Sequence, residues 1–376
     1  MGRSAETPSF ETWLAPLSRQ FCRCLVNFEA RESTSDETTR QHAASQRTAR
    51  FVMKSKLPRC WWPIGHLRGW LGPSGFGSKS TWRDVIDDLY PGSASGNCVL
   101  ITGATAGIGL ETLKAFCSTG ATVVVGARDE TRAKALACEL MSETTSIVRV
   151  LRLDLSCSKS VHEFVDAFLA LNLKLTVLVN NAGIMPCPFD DDSNRDLAFH
   201  VNFLNHFILT QLLLESFDPA GARVVNVTSE VYRFSYPEGI RFGKIDDERG
   251  YDSVKSYAQS KLALLLWTQF QGESLRERGV QFFAVHPGSV DTQGSARARK
   301  SSGWRGALLH CVGAPFVKSA ECGAATTIYC ALHPGASMFN RFGEYYFASC
   351  NPRGVSKISR DEALQKRLFE YASRRA

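Results

Sequence analysis

The sequence predicts an α/β fold: a doubly wound parallel sheet flanked by helices, in a single domain with an N-terminal extension. Three observations lead to this prediction. From Asn97 onward, short apolar segments alternate with longer segments of helical pattern. The short segments are apolar throughout, as strands are when helices cover both faces of a parallel sheet. A glycine-rich turn joins the first of these strands to the first helix.

The elements are assigned in chain order from their length, apolar pattern and flanking turn residues. Six segments are predicted to be strands: Cys98–Thr102, Thr122–Gly126, Ile147–Asp154, Leu175–Asn180, Arg223–Ser229 and Gln281–His286. Five helices are predicted with them: one from Leu110, then Glu130–Glu143, Ser158–Leu171, Leu197–Phe217 and Ser256–Arg278.

The chain before residue 97 differs in composition from the domain of residues 97–376. Residues 1–56 are rich in Ser, Thr, Lys and Arg without periodicity, which predicts a flexible tail. A transit peptide is an alternative, but the acidic residues of the tail count against it. Residues 57–96 form a Trp- and Gly-rich arm that leads into the domain, and Met53 is a second candidate start.

Residues 54–77 combine Lys and Arg with tryptophan. This mixture suits a peripheral contact with a membrane surface. The alternative is an arm that packs on its own domain. Pro58, Pro63 and Gly65 favour the alternative, because they interrupt an amphipathic helix.

Composition excludes several classes of function. The net charge is +7, but the 44 Lys and Arg are scattered among 37 acidic residues, so no nucleic-acid partner is predicted. The 12 cysteines form no CxxC pair, so we predict no metal site and mostly buried thiols in a reducing compartment. No apolar run approaches the roughly 18 residues of a membrane span, and no secretory signal is expected.

The turn after the first strand has glycines in the spacing G-x-x-x-G-x-G. Gly103 permits the tight turn, Gly107 lets the backbone approach a pyrophosphate, and Gly109 lets the helix pack closely on the sheet. The N–H groups at the start of that helix favour phosphate. The pattern predicts a Rossmann-like dinucleotide site, with loop residues Gly103, Thr105, Ala106, Gly107, Ile108 and Gly109.

The residue after the second strand selects the dinucleotide. NAD-binding sheets usually carry a carboxylate there, whereas this chain has Arg128, which can pair with a 2′-phosphate. NADP(H) is therefore favoured over NAD(H), although Asp129 follows directly. Asp154, at the end of the third strand, either accepts a hydrogen bond from the adenine amino group or caps the next helix.

Four polar residues form a candidate catalytic set. Tyr257 and Lys261 lie one helical turn apart, and the ammonium is expected to lower the pKa of the phenol. Ser229 closes the fifth strand at the carboxyl edge, where its hydroxyl can bond a substrate oxygen. Asn202 lies in the long helix and is a candidate to hold a water that links Lys261 to solvent. Taken separately, each has a structural alternative. The Tyr257–Lys261 pair could be surface residues, Ser229 a turn residue at the end of a strand, and Asn202 a surface or cap residue of its helix.

Together these motifs resemble the signature of the classical short-chain dehydrogenases. Thr102–Gly109 (TGATAGIG), Asn180–Gly183 (NNAG), Ser229, Tyr257–Lys261 (YAQSK) and Pro287–Thr292 (PGSVDT) occur in the family's order over about residues 97 to 350. The resemblance implies a catalytic tetrad of Asn202, Ser229, Tyr257 and Lys261, with Lys261 also holding the nicotinamide ribose. It places Asn180 and Ala182 at the adenosine, and Val290 and Thr292 at the nicotinamide. The remaining cofactor contacts are assigned to Leu155, Gly183, Pro287 and Gly288.

A narrower resemblance is to the retinol-dehydrogenase-like branch, which includes chloroplast-translocon-associated members in plants. It is carried by NNAGIMPCPF from Asn180, YPEGIRFGKID from Tyr236 and GAATTIYCALHP from Gly323. The chain departs from the branch at Phe203 and Asn205, where His and Gly are usual, which is expected to affect packing near the active site or substrate choice. The resemblance makes a cytosolic or an organelle-associated location the expectation.

The predicted function is hydride transfer between NADP(H) and a small apolar carbonyl or alcohol. The segment of residues 293–315, basic and then apolar, is expected to flank the substrate cleft or to be a loop. The rival hypothesis is an NADP(H)-binding redox sensor or scaffold in a membrane-associated complex. Residues 361–376 are either a docking helix for a protein partner, through Leu364, Leu368 and Phe369, or a helix packed on its own domain. The family resemblance also makes a homo-oligomer an expectation.

Overall fold

The computed structural model describes residues 71–89, 96–290 and 317–376. The tail of residues 1–56, most of the patch of residues 54–77, Thr292 and the segment of residues 293–315 lie outside these ranges. The strands of the described ranges are β1 Cys98–Thr102, β2 Thr122–Ala127, β3 Ile147–Arg152, β4 Val177–Asn180, β5 Ala222–Val227, β6 Val280–His286, β7 Ser289–Val290, β8 Val317–Lys318, β9 Tyr346–Ala348 and β10 Asn351–Pro352.

Eight of these strands form one sheet in the order β10-β9-β6-β5-β4-β1-β2-β3, while β7 and β8 pair separately. Every neighbouring pair in the large sheet is parallel except β9 with β10. The fold class is therefore confirmed as a doubly wound, mostly parallel sheet. The strand order reverses between β1 and β4, and open α/β sheets bind their ligands at the carboxyl edge beside such a reversal.

The helices of the described ranges cover both faces of this sheet. They are α1 Trp82–Asp87, α2 Gly107–Ser118, α3 Glu130–Glu143, α4 Ser158–Leu169, α5 Leu197–Phe199, α6 Asn205–Leu212, α7 Ser253–Ser274, α8 Ala320–Leu332, α9 Pro334–Arg341 and α10 Glu362–Ser373. Short 3₁₀ turns occur at Leu214–Ser216, Glu230–Phe234, Arg276–Arg278 and Ile358–Arg360.

The two faces of the sheet bury separate apolar layers, because successive side chains of a strand point to opposite faces. On β1, Leu100 joins the layer that contains the buried residues of α4, α6 and α7. Its neighbours Val99 and Ile101 join the layer that contains those of α2 and α8. All five residues of β1 are buried, which is why the strand is apolar throughout rather than alternating.

Two predicted elements differ from the structure. The single helix predicted over Leu197–Phe217 is interrupted: a π-helical turn, His200–Leu204, separates α5 from α6, and a 3₁₀ turn follows. Periodicity did not reveal this turn, since one extra residue per turn barely changes an apolar pattern. The predicted third strand ends early, at Arg152, because Asp154 turns the chain by accepting hydrogen bonds from Ser156.

The described part of the N-terminal arm packs on the domain. Helix α1 begins with a capping box of Thr81 and Asp84. The Trp82 indole is buried and donates to Glu111 on α2 at 3.0 Å. Phe76 is also buried, and Asn351 on β10 accepts from the backbone N–H of Ser74 and donates to the carbonyl oxygen of Phe76. From residue 71 onward the structure therefore shows the second of the two predicted arrangements, an arm on its own domain.

The C-terminal helix α10 also packs inward. Leu368 and Ala372 are fully buried. Phe369 lies 5.6 Å from Phe207 and 4.8 Å from Phe270, measured between ring centroids. The apolar face considered for a docking helix is therefore covered by the domain itself.

In the ranges that the structure describes, no helix is long and apolar enough to cross a bilayer. The same residues contain no group of three or more His, Cys, Asp and Glu side chains placed to hold a metal ion.

Candidate active site

The glycine loop between β1 and α2 leaves space for a ligand to contact the backbone of the loop. Gly103 and Gly107 have φ of +69° and +55°, which L side chains rarely adopt. A Cβ at Gly109 would lie 2.1 Å from the carbonyl oxygen of Gly103, so only glycine fits there. Ala106, the N-cap of α2, offers no side-chain cap, so the first N–H groups of α2 are available to phosphate.

Asn181 fixes the shape of this loop and was not predicted. Its Nδ2 donates to the carbonyl oxygens of Thr102 at 2.9 Å and Gly103 at 3.1 Å. In return, Thr102 Oγ1 accepts the backbone N–H groups of Asn181 and Ala182, each at 3.0 Å. The end of β1 and the end of β4 are thus joined. The second Asn of the NNAG motif was the available signal.

Asn180, predicted to line the adenosine, has its side chain in the interior. Its Nδ2 donates to Thr210 at 3.1 Å and to Asn226 at 2.8 Å. The whole residue is only 1% exposed, and its predicted contact with the adenosine stays a prediction. Leu155 is similar: its side chain is in the core, and its carbonyl oxygen accepts from Asn205 at 2.7 Å.

Basic side chains surround the edge of β2 and β3. A depression of about 690 Å³ is lined by Arg128, Asp129, Glu130, Thr131, Lys134 and Arg152. The carboxylate of Asp129 accepts from the N–H of Arg132 at 3.0 Å as the N-cap of α3. That carboxylate, which stood against an NADP(H) assignment, therefore has a structural role at the start of a helix.

Asp154 lies next to this basic edge. Burial acts to raise the pKa of its carboxyl. Hydrogen bonds from Ser156 and the charges of Arg128 and Arg152 together lower this pKa by more than burial raises it, so the net shift is downward. The alternative of a helix cap does not apply, because the N-cap of α4 is Cys157. Asp154 is thus a carboxylate at the carboxyl edge, held by an Asx turn.

Asn202 sits in the π-helical turn and is fully buried. Its Oδ1 accepts from the N–H of Ile184 at 2.8 Å, and its Nδ2 donates to the Ile184 carbonyl at 3.1 Å and to Ser260 at 3.0 Å. The side-chain amide therefore ties the loop after β4 to helix α7. The predicted role of Asn202 in holding a water stays a prediction.

Tyr257, Lys261 and Ser229 meet where β5 ends. The ammonium of Lys261 donates to the Val227 carbonyl at 2.9 Å and lies 5.8 Å from the centroid of the Tyr257 ring. Ser229 hydrogen-bonds the Tyr257 side chain and accepts from the N–H of Val231 at 3.3 Å. These three side chains and Asn202 thus come together from the turn after β5, from α7 and from the π turn.

Burial sets the protonation of this pair. It raises the pKa of Tyr257 to about 12, and the hydrogen bond with Ser229 opposes this rise only in part. It lowers the pKa of Lys261 to about 8. The direction of the Tyr257 pKa shift is opposite to the one predicted from the Tyr-x-x-x-Lys spacing, because desolvation of the phenolate is the largest effect on this pKa.

Gly183 lies directly over the pair of Asn202 and Lys261. A Cβ at Gly183 would be 3.2 Å from Asn202 Oδ1 and 3.5 Å from Lys261 Nζ. Gly183, the last residue of NNAG, therefore keeps this side of the site open.

The loop after β6 reaches the glycine loop through α8. Pro287 precedes Gly288, which has φ of +93°, and the chain then enters β7. A Cβ at Gly323 on α8 would lie 2.8 Å from Val290 and 3.2 Å from Ile108, so both side chains contact the same point of α8. In the sequence, Gly323 is only the first residue of the GAATTIYCALHP motif, which does not predict this contact. The predicted contact Thr292 lies outside the described residues.

A family model for short chain dehydrogenases matches residues 97–243. Short-chain dehydrogenase TIC 32 A, chloroplastic, of Brassica napus is 37% identical over 319 residues, which cover 82% of this chain and 96% of the relative.

The chain belongs to the short-chain dehydrogenase family.

Within the family, the chain lies in the retinol-dehydrogenase-like branch. Human retinol dehydrogenase 12 is 39% identical over 74% of this chain and 85% of its own length. WW domain-containing oxidoreductase of Pongo abelii is 35% identical over 77% of this chain and 70% of its own length. A solved structure from Mycobacterium paratuberculosis, 28% identical, superposes with a TM-score of 0.58 over 79% of this chain and 97% of that one. This short-chain dehydrogenase is therefore an oxidoreductase acting on CH–OH or C=O groups, with an NAD(P)-binding Rossmann fold.

The two departures of this short-chain dehydrogenase from its branch are interior residues. Phe203 packs edge-on against Phe199 and Trp267, at 5.2 and 6.1 Å between ring centroids. Asn205 is fully buried and bonds Leu155 and Ser158. Both side chains therefore take part in packing at and next to the π turn, while an effect on substrate choice stays a prediction.

Proposed function

We propose that this short-chain dehydrogenase is an NADP(H)-dependent oxidoreductase that transfers a hydride between the nicotinamide and an apolar carbonyl or alcohol. The observation that carries the proposal is the meeting of Ser229, Tyr257, Lys261 and Asn202 at the carboxyl edge of the sheet. The glycine loop and the N-terminus of α2 would hold the pyrophosphate, and Ile108 and Val290 would flank the nicotinamide end.

When bound, NADPH would supply the hydride for the carbonyl carbon in the reductive direction. The Tyr257 hydroxyl donates its proton to the carbonyl oxygen, and Ser229 orients that oxygen by a hydrogen bond. A tyrosine whose pKa is raised to about 12 is protonated at neutral pH, as a proton donor must be. Lys261 stabilises the phenolate that remains and returns a proton to it.

The preference for NADP(H) is supported by Arg128 and Arg152, whose guanidinium groups line the same depression with Lys134. A 2′-phosphate there would meet positive charge from two adjacent strands and from α3. NAD(H), with a hydroxyl at that position, gains nothing from these charges.

An apolar substrate is supported by exposed apolar side chains on the elements that carry the site. Val254 is 52% exposed and lies one turn before Tyr257 on α7. Met185 is 40% exposed and follows Ile184, whose backbone bonds Asn202. The relatives named retinol dehydrogenase point to the same substrate class, an apolar alcohol or aldehyde.

The test is turnover of the full chain with NADPH or NADH and a panel of apolar aldehydes and ketones. Tyr257→Phe should lower kcat by about 10²–10⁴-fold. Tyr345→Phe is the matched control, since the Tyr345 hydroxyl hydrogen-bonds Arg276 and Glu273 rather than any of the four proposed catalytic residues. Unchanged turnover in Tyr257→Phe would refute the mechanism. Tight NADPH binding without reduction of any carbonyl would favour the sensor or scaffold hypothesis.

We also propose an organelle association, because the Brassica napus relative is described as chloroplastic. Fluorescence microscopy of the full chain with a C-terminal tag, in plant cells, would test it. An even cytosolic distribution would refute it.

A further inference from the structure

His206 is a buried residue that the proposed mechanism does not use. It lies in α6, one turn after Asn202, and is 0% exposed. Its Nδ1 is 3.0 Å from the carbonyl oxygen of Asn202, and its Nε2 is 2.9 Å from Thr102 Oγ1. The ring therefore spans from the π turn to the end of β1, where the glycine loop begins.

The partners of the ring determine its tautomer. A carbonyl oxygen only accepts, so Nδ1 must carry the hydrogen that bonds Asn202. Thr102 Oγ1 already accepts two backbone N–H groups, from Asn181 and Ala182, which occupy its two lone pairs. Its single hydrogen is left to donate, and His206 Nε2 at 2.9 Å is nearer than the Val179 carbonyl at 3.5 Å. Nε2 is therefore without hydrogen.

The charge state follows from the same geometry. A proton on Nε2 would face the Thr102 hydroxyl, which has no lone pair left to accept it. Burial, and secondarily the charge of Lys261, lower the pKa of His206 to about 4, although the bond to Asn202 opposes this shift. The imidazole is thus neutral throughout the range in which the enzyme would work.

His206 closes a ring of hydrogen bonds around Gly183. From Thr102 the ring passes through the N–H of Ala182, and the chain continues to Ile184. The N–H of Ile184 donates to the Asn202 side chain. The carbonyl of Asn202 accepts from His206, which accepts from Thr102. Removing the imidazole breaks two adjacent bonds of this ring.

We propose that His206 is a positioning residue of the active site: fixed as the neutral Nδ1–H tautomer, it couples the π turn that carries Asn202 to the start of the glycine loop. The inference rests on the proposed function in so far as Asn202 and the glycine loop serve turnover. Misplacement of catalytic groups by about 1 Å costs up to about 10²-fold in rate, so the loss of this coupling should be visible in kcat.

The first experiment is NMR of the full chain with ring-¹⁵N-labelled histidine, and it requires no turnover. The signals of His206 are assigned by their absence in His206→Asn. We expect a protonated Nδ1 and an unprotonated Nε2 from pH 8 down to about pH 5, with and without NADPH. An Nε2–H tautomer, or a charged ring at neutral pH, would overturn the inference.

The second experiment compares three variants in kcat, in the KM for NADPH and in thermal stability. His206→Asn keeps a donor at the place of Nδ1, and His206→Gln keeps an acceptor near the place of Nε2, whereas His206→Leu keeps neither. We expect His206→Leu to lose 10- to 100-fold in kcat and His206→Asn to recover most of that loss. Equal stability losses in all three variants, with kcat per folded molecule within twofold of wild type, would show a purely structural role and overturn the inference.

The failure of the proposed function would look different. If Tyr257→Phe and Asn202→Ala both keep wild-type turnover, the tetrad is wrong whatever the state of His206. If they lose turnover while His206→Leu does not, the tetrad stands and the positioning role of His206 is refuted.

Discussion

Protonation at single residues controls the direction of the proposed chemistry. Burial keeps Tyr257 in its protonated form. The same burial lowers the pKa of Lys261 to about 8, which is close to neutral pH. The tyrosine therefore keeps its proton over the whole physiological range, and Lys261 is the group that titrates first as pH rises.

We predict that reductive turnover is constant below about pH 7 and falls as pH rises through the pKa of Lys261, which burial lowers to about 8. The reason is that only the ammonium form stabilises the phenolate left after proton transfer. The measurement is kcat with NADPH from pH 6 to pH 10. A rate that increases through pH 9 would contradict the assignment.

Gly183 offers a second test at this scale. In Gly183→Val the Cβ would crowd Asn202 Oδ1 and Lys261 Nζ, so we expect kcat to fall at least tenfold with the fold retained. Gly243→Val is the matched control, because a Cβ there meets no atom within 4 Å. Circular dichroism checks the fold of both variants, and kcat measures their activity. Similar kcat values in both variants would refute the predicted role of Gly183.

His206 also makes a prediction about stability. Its folded pKa, about 4, is below that of an exposed histidine, so between these values the unfolded chain binds more protons. The sign is therefore a loss of stability as pH falls from about 6.5 towards 4, on the order of 3 kcal/mol from this group. Urea unfolding of wild type and His206→Asn at pH 7 and pH 4.5 measures it. An equal loss in both proteins would contradict the prediction.

At the scale of elements, the edge formed by β2 and β3 is where the proposed preference for NADP(H) can be tested. Arg128→Ala and Arg152→Ala should each weaken NADPH binding about tenfold or more, since a charge-assisted hydrogen bond contributes about 1.5–3 kcal/mol. NADH binding should change less than twofold. Arg149→Ala, on the exposed side of β3 and outside the depression, is the control. Equal weakening of both cofactors would refute the preference.

Elements with a strong apolar pattern could be predicted from the sequence, and short or irregular ones could not. The sequence predicts strands β1, β2 and β6 to within about one residue, because most residues of these strands are buried and apolar. Strands β7 and β8 have two residues each, too few for any period. The π turn, which carries Asn202, could not be predicted, because one extra residue per turn barely changes an apolar pattern.

The site was predictable where one short motif holds all its parts. The glycine loop and the Tyr257–Lys261 pair are of this kind. Asn181 and His206 were missed because their importance lies in partners about 79 and 104 residues away, at Thr102. Hydrogen bonds across strands leave no trace in local spacing.

At the scale of the whole molecule, the C-terminal helix should contribute to stability rather than to docking. Leu368→Ala removes a fully buried side chain and should destabilise the fold by about 2–5 kcal/mol. Leu212→Ala, at a side chain 37% exposed, should cost less than about 1 kcal/mol. Urea unfolding of the two variants measures the difference. Equal small effects would mean that α10 is not part of the cooperative unit.

The contact between the arm and β10 has a consequence for biosynthesis. The backbone N–H of Ser74 and the carbonyl of Phe76 bond Asn351, across 277 and 275 residues of sequence. A ribosome must therefore make nearly the whole chain before this contact can exist. Until then Phe76 and Trp82 lack part of their burial partners, and transient exposure of aromatic surface is what makes a nascent chain prone to aggregation. The segment of residues 71–89 is thus among the last parts of the described structure to fold, and truncation before residue 351 should leave this segment open to proteases.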